Sequence, residues 1–217
     1  MISGALPDEI GNCRSLEELK SYLNILTGSI PSSIGNLRFL QRLSLGDNNL
    51  YGNISSDLPR LSSLTFLKLD VNKLTGSIPT ELGSLALLTE LLLDNNSLIG
   101  TIPSSFGNIE SIRLMDLDHN MLTGIIPSNL HKFTKLMRLE LNNNLLSSAI
   151  STSIGSVSNL QRINLFWNDI SGKLELDHKM LVGNVSLEVF DLSIGKVTAD
   201  YANSTSGIVC SCCTLCY

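Results

Sequence analysis

Acidic side chains recur at a fixed spacing in the middle of the chain. Asp70, Asp94 and Asp118 follow one another at a constant interval, and Asp116 lies just before the last of them. On neighbouring strands of a sheet such residues stand about 5 Å apart, and like charges at that distance are mildly destabilising unless a counter-charge offsets them. Three explanations stay open: a docking surface for a basic partner, a loose divalent-cation site, or an ordinary solvated surface.

Catalytic chemistry finds little support in the sequence. Of the three histidines, only His119 lies among carboxylates, in the stretch MDLDHN, and its spacing fits a surface position on a strand. The chain contains no G-x-S-x-G, H-E-x-x-H or phosphate-loop motif. We therefore expect neither an enzyme nor a bound cofactor.

Cysteines crowd the C-terminal end, in CSCCTLCY. Such thiols could form tight or intermolecular disulfides, or a thiolate metal site. The stretch lacks the histidine and the distant second half of a zinc finger, which favours disulfides and no metal. Cys13, by contrast, occupies a leucine position and is predicted to be a buried apolar filler. The candidate disulfide residues are Cys210, Cys212, Cys213 and Cys216.

Charge and hydropathy exclude two broad classes of function. The 217 residues carry a net charge of -5, with scattered lysines and arginines, so binding to nucleic acid is not expected. No run of about 18 apolar residues is present, so no membrane span is predicted. The stretch from Met1 to Lys20 does not have the charged start and apolar segment of a signal peptide.

One short sequence motif recurs through most of the chain. It occurs as NKLTGSIP at 72–79, NSLIGTIP at 96–103 and NMLTGIIP at 120–127, always at the same interval. The whole unit reads L-x-x-L-x-x-L-x-L-x-x-N-x-L-x-G-x-I-P. Because side chains alternate across a strand, the x-L-x-L-x part predicts a short strand with leucines on one side. Stacked units would then form a parallel sheet and one continuous leucine core.

The asparagine of the unit is predicted to turn inward at the end of the strand. There its amide donor and its carbonyl acceptor can both bind main-chain groups left free by the bend. Successive asparagines should form a ladder along the stack. Its members are Asn24, Asn48, Asn72, Asn96, Asn120, Asn144 and Asn168.

This unit resembles the plant-type extracellular leucine-rich repeat, and the resemblance covers roughly residues 1 to 195. It implies an α/β repeat fold, a solenoid with a concave parallel β-sheet and short helical or 3-10 segments on the convex side. It also implies an extracellular or cell-surface protein like a receptor ectodomain, although a cytoplasmic location stays open. The cysteine-rich tail resembles the endings of some algal repeat proteins.

The register gives the domain organisation. We predict a solenoid over residues 1–201, with a partial repeat at 1–12, seven repeats at 13–183 and a modified last coil at 184–201, followed by a cysteine-rich tail at 202–217. A longer step, which would make Phe190 equivalent to Ile163, predicts an insertion before that last coil. No capping segment precedes the first repeat, so we expect a fragment of a longer receptor-like chain and allow self-association through the uncapped end.

Function in such scaffolds usually lies on the outward side chains of the concave strands. The predicted activity is recognition of a protein or peptide ligand, basic if the acidic residues contact it. Alternatives are a secreted hydrolase inhibitor and a structural or adhesive protein. The two aromatic residues of the face would act as interface anchors or pack under a loop. The candidate binding residues are Lys68, Asp70, Asp94, Asp116, Asp118, His119, Glu140, Phe166 and Trp167.

Overall fold

The computed structural model describes residues 1–149, 157–171, 174–176, 186–188 and 197–199. Within these residues every regular element is a short parallel strand or a 3-10 helix, repeated coil after coil. The predicted architecture is confirmed, and its convex segments are 3-10 helices. The four cysteines of the tail lie outside the described residues, so their disulfides stay a prediction.

A parallel sheet lines the concave side, with one strand from each coil. Each residue pairs with the residue one repeat further along the chain, since Leu43 pairs with Leu67 and Leu67 with Leu91. Numbered along the whole chain, its eight described strands are β2 Glu18–Lys20, β4 Arg42–Ser44, β6 Phe66–Lys68, β8 Glu90–Leu92, β10 Leu114–Asp116, β12 Arg138–Glu140, β14 Arg162–Asn164 and β17 Ser186–Glu188.

The last pairing corrects the predicted longer step. Ile163 pairs with Leu187, one regular period further along the chain, rather than with Phe190. The triplet Ser-Leu-Glu at β17 has an apolar centre between two polar residues, the pattern also found in β2, β4, β12 and β14. The regular period therefore continues through this strand, and the bounds of the last coil stay a prediction.

A second parallel sheet, which the sequence interpretation missed, follows each ladder asparagine. Its longer strands begin directly after the asparagine and use the x-L-x-G part of the unit, so that they run through the glycine. This sheet gives each coil a second line of backbone hydrogen bonds. Its strands are β5 Tyr51–Asn53, β7 Lys73–Ser77, β9 Ser97–Thr101, β11 Met121–Gly124, β13 Leu145–Ala149 and β15 Asp169–Ser171; separate pairs join β1 Ser3–Ala5 to β3 Ile25–Thr27 and β16 Leu174–Leu176 to β18 Val197–Ala199.

The convex side consists of 3-10 helices. A proline precedes five of the six described helices and needs no backbone donor there. The helices are Asp8–Asn12, Ser32–Asn36, Leu58–Arg60, Thr80–Ser84, Ser104–Asn108 and Ser128–Lys132.

The side chains of the asparagine ladder connect adjacent coils through hydrogen bonds to the backbone. The side-chain oxygen of Asn120 accepts a hydrogen bond from the backbone N–H of Leu98 at 2.9 Å. Its amide nitrogen donates to the carbonyl oxygens of Leu93, Leu117 and Asp118, at 3.0 to 3.2 Å. A single side chain thus joins two coils. Equivalent bonds are made by Asn48, Asn72, Asn96, Asn144 and Asn168, while Asn24 bonds to Ile2 and Tyr22.

The first coil is more open than the others. Leu6, Ile10 and Leu16 are only partly buried, whereas the corresponding leucines of the central coils are fully covered. The prediction that Cys13 is a buried filler is wrong, because its side chain is exposed. Cys13 lies in this open first coil, where the neighbouring apolar residues are also only partly buried. Self-association through this end stays a prediction.

Close stacking on the convex side depends on a glycine that the sequence interpretation passed over. A Cβ added at Gly83 would lie 2.6 Å from the carbonyl carbon of Ser105 in the next coil. The Ser105 backbone cannot move away from the added methyl group as a flexible side chain could. We therefore expect Gly83→Ala to lower the free energy of unfolding by about 1 to 3 kcal/mol. At Gly107 the nearest group is the flexible amide of Asn129, so Gly107→Ala should cost less. Thermal denaturation of the two variants checks this, and an equal loss would contradict it.

Candidate functional site

The concave strands hold side chains in fixed columns. In β6, β8 and β10 the central residues Leu67, Leu91 and Met115 are fully buried, so the residues on either side of them face the concave surface. Equivalent positions on successive coils are paired across the sheet. The surface is therefore a rigid array with one side chain about every 4.8 Å along the stack.

At one end of the acidic column a lysine supplies the counter-charge. Lys68 Nζ lies 3.3 Å from Asp70 Oδ2 and 3.6 Å from Asp47 Oδ2, and also sits 5.7 Å from the centre of the Tyr22 ring. Burial raises the pKa of Asp70, and Lys68 opposes that rise. Since Asp70 is only 8% exposed, it is not the open surface carboxylate that the sequence predicted.

At the other end Glu140 is enclosed by arginines. Its Oε1 accepts a hydrogen bond from Arg138 Nε at 2.6 Å and lies 2.7 Å from Arg162 Nε. The residue is 2% exposed. We predicted Glu140 as a partner-binding carboxylate, but its charge is already paired and removed from solvent. The two arginines, which cover it, were not among the predicted residues.

Between these ends lies a group of three carboxylates, Asp94, Asp116 and Asp118, which we call the acidic row. Asp94 Oδ2 accepts a bond from Asn95 Nδ2 at 2.9 Å, and Asp118 Oδ1 lies 2.9 Å from His119 Nδ1. Among the ion pairs of the described residues, none joins the row to a lysine or arginine. The centre of the face therefore carries negative charge without a directly paired lysine or arginine among the described residues.

Burial and crowding of like charges perturb the acidic row. Burial raises the pKa of Asp94, and the Asn95 bond and the Asp118 carboxylate act in opposite directions on it. Burial also raises the pKa of Asp116 to about 7, with Asp94 and Asp118 adding to the rise. Near neutral pH this carboxyl group is consequently shared between its neutral and charged forms.

The raised pKa gives the stability a definite dependence on pH. The pKa of Asp116 is near 3.9 in an unfolded chain and near 7 in the fold, so the folded protein holds more protons between these values. The contribution of Asp116 to the stability of the fold is fully present below about pH 4. It is lost as the pH rises from there through 7. We expect Asp116→Asn to be about 1 to 2 kcal/mol more stable than wild type at pH 8, allowing for solvent screening, with a smaller difference at pH 5. Urea denaturation at both pH values checks this, and a difference that is the same at pH 5 and 8 would contradict it.

A strained backbone position lies directly before each ladder asparagine. The seven residues there have φ between 47° and 55°, a left-handed conformation that suits asparagine and aspartate but not branched or bulky side chains. Asp47, Asn95 and Asn143 fit it, and they were the available sequence signal. The other occupants are Leu23, Val71, His119 and Trp167.

Val71 offers a direct test of this strain. Its φ is 47° and the residue is 41% exposed, so its side chain is not part of the packed core. We expect Val71→Asn to raise the free energy of unfolding by about 1 kcal/mol, a gain of roughly 2 to 4 °C in Tm. The reciprocal change Asn143→Val, at the equivalent position, should lower stability by a similar amount. If both variants have the same Tm as the wild type, the backbone at this position is not strained.

Aromatic side chains lie at the C-terminal part of the face. The ring centres of Phe166 and Trp167 are 6.2 Å apart, at an interplanar angle of 48°. Trp167 is 60% exposed. This exposure leaves an apolar surface two coils beyond Asp118.

Sequence reasoning missed the first column of the concave strands. There Arg42 lies over the ring of Phe66, with 4.0 Å from its guanidinium carbon to the ring centre. Arg138 and Arg162 occupy the same column further along. Strict alternation about the central leucine of each strand was the signal that could have identified them.

Comparison with known proteins matches this repeat. The sequence model described as Leucine Rich Repeat matches residues 63–85, 87–109 and 111–133, and the last two ranges contain the acidic row. The chain is a leucine-rich-repeat solenoid. Comparison with curated protein sequences gives no significant match.

Solved structures similar to this leucine-rich-repeat solenoid include plant receptors. The plant peptide hormone receptor RGFR1 in complex with RGF2 is 37% identical, with a TM-score of 0.79 over 80% of this chain and 28% of that one. The ectodomain of GASSHO1/SCHENGEN3 from Arabidopsis thaliana, in complex with CASPARIAN STRIP INTEGRITY FACTOR 2, is 38% identical, with a TM-score of 0.78 over 79% of this chain and 21% of that one. A plant ice-binding protein is 31% identical, with a TM-score of 0.65 over 80% of this chain and 64% of that one.

The solenoid spans less than a third of the length of the two receptors. Among its described residues, no helix is long and apolar enough to cross a membrane. Within the same part of the chain, no three histidine, cysteine or acidic side chains converge as a metal site.

Proposed function

We propose that the chain is a recognition module whose concave face binds a positively charged peptide or protein segment. The observation that carries this proposal is the acidic row, which lacks a lysine or arginine ion pair among the described residues while Asp70 and Glu140 on either side are paired. Clustered charge on a rigid surface attracts an oppositely charged partner and steers its approach.

The similar structures support a peptide as the ligand class. RGFR1 was solved in complex with RGF2, and HAESA with a peptide hormone and with a co-receptor. By analogy, the chain acts by binding and not by catalysis, at the cell surface or outside the cell. The exposed Trp167 beside Phe166 supplies an apolar anchor, since large aromatic side chains dominate the energetics of protein interfaces.

A selection from a random peptide library displayed on phage tests the proposal. We expect peptides rich in arginine or lysine to be enriched on the wild-type chain at physiological salt. They should not bind Asp94→Asn/Asp116→Asn/Asp118→Asn, which keeps the shape of the face but removes its charge. Failure to enrich any peptide, or enrichment of peptides that bind the triple variant equally well, would contradict the proposed function.

A further inference from the structure

The charge of the concave face is distributed unevenly among its carboxylates. Lys68 neutralises Asp70, and Arg138 and Arg162 neutralise Glu140. Among the described residues, the acidic row between them, Asp94, Asp116 and Asp118, is bonded to an amide, a histidine ring and backbone N–H groups. A ligand cation therefore meets three carboxylates that it does not have to detach from a lysine or arginine.

An independent observation at the edge of the row points to a missing donor. Asn142 follows Asp118 in the same column, one strand along, and is 4% exposed. Among the described residues, its buried Oδ1 has no hydrogen-bond partner. A buried acceptor without a donor is costly, so a group that brings several N–H donors to this surface gains more than a bare charge would.

The spacing of the acceptors selects the kind of cation. Neighbouring strands are about 4.8 Å apart, so the column from Asp94 to Asn142 extends over about 10 Å. An ammonium group is a compact, strongly hydrated charge with three donors. A guanidinium group is planar, more weakly hydrated and carries five donors directed outward in a fork. The donors of a guanidinium group are spread more widely than those of an ammonium group, and this spread matches acceptors that lie on successive strands.

We propose that the acidic row and Asn142 form a subsite for the guanidinium group of an arginine side chain in the ligand. This inference rests on the proposed function, and it names the residue type that the face recognises.

Binding at this subsite is coupled to protons. Burial and the carboxylates of Asp94 and Asp118 raise the pKa of Asp116 to about 7, and a bound cation favours its charged form. Binding should therefore release a proton and be tighter at pH 8 than at pH 5. Glu140, which is paired with two arginines, also acts on Asp116. Lys68 acts on Asp94, and His119 contacts Asp118.

The test uses N-acetyl-arginine amide and N-acetyl-lysine amide as probes. Each is titrated into the full chain, labelled with ¹³C, and the side-chain carboxyl and amide resonances are followed by NMR at pH 5 and pH 8. We expect the arginine probe to bind at least about five-fold more tightly at pH 8 than at pH 5. It should also bind at least about three-fold more tightly than the lysine probe, with shifts centred on Asp116, Asp118 and Asn142.

Two variants sharpen the result. Asp116→Asn should weaken the arginine probe and abolish its dependence on pH, whereas Glu110→Gln on the convex side should change neither. Equal binding of the two probes, or an unchanged pH dependence in Asp116→Asn, would overturn the subsite. Selected peptides that bind the concave face without arginine would also overturn it, while leaving the proposed function intact. If the arginine probe binds the acidic row but the phage selection yields no peptide, the subsite is supported and the proposed function is refuted.

Discussion

An Asn120→Leu variant is expected to lose at least about 3 kcal/mol of unfolding free energy. The substitution removes the oxygen that accepts the N–H of Leu98 and the amide that donates to three carbonyl groups. Each buried backbone group left without a partner costs about 1 to 3 kcal/mol, and no water can replace the side chain, because leucine fills the same space. Urea denaturation, followed by far-ultraviolet circular dichroism, gives the loss as a lower midpoint.

The matched control is Asn108→Leu. Asn108 is an exposed asparagine at the end of a convex 3-10 helix, so this variant should differ from wild type by less than about 0.5 kcal/mol. A similar loss in both variants would mean that leucine is harmful at any asparagine position. No loss at Asn120 would mean that the ladder does not hold the coils together.

The second large effect concerns ligand binding. The Asp94→Asn/Asp116→Asn/Asp118→Asn variant should bind a selected cationic peptide at least about ten-fold more weakly than wild type, mainly through slower association, because clustered charge accelerates encounter. The association rate of the wild type should fall steeply with salt, and that of the variant should not. Folding should be unaffected or slightly improved, since repulsion and the burial of charge are both removed. Surface plasmon resonance at low and physiological salt measures these rates.

A variant with the same net charge provides the control. Glu9→Gln/Glu81→Gln/Glu110→Gln also removes three negative charges, but from exposed positions on the convex helices or beside them. Its binding should stay within about two-fold of wild type. If it loses as much affinity as the concave variant, net charge alone drives association, and the acidic row has no special role.

The period of the sequence predicts the frame of the molecule well. From the second coil onward the described ladder asparagines make the same kind of hydrogen bonds and the central strand residues are buried, so one physical argument about Asn72 or Leu67 applies to the equivalent positions. The columns of the concave face follow from strand alternation. For the same reason, the placement of Asp94 beside Asp118 could be predicted from their spacing alone.

Side-chain pairing could not be predicted in the same way. Whether Glu140 faces solvent depends on how two long arginine side chains lie across neighbouring strands, and the repeat pattern does not determine their rotamers. The left-handed backbone at Val71 is imposed by the bend of the coil against the preference of its residue. The second sheet was missed because N-x-L-x-G is short and looks like a turn when considered without its neighbours.

Photo-cross-linking tests the central claim, that ligand recognition occurs on the concave face, most directly. A selected cationic peptide with a diazirine next to its basic residue is irradiated with the full chain, and the cross-linked residues are identified by mass spectrometry. The account predicts adducts on β8 to β12 and the residues that follow these strands, around Asp94, Asp118 and Asn142, and their loss in the triple asparagine variant. Adducts on the convex helices or on the second sheet, unchanged in that variant, would contradict it.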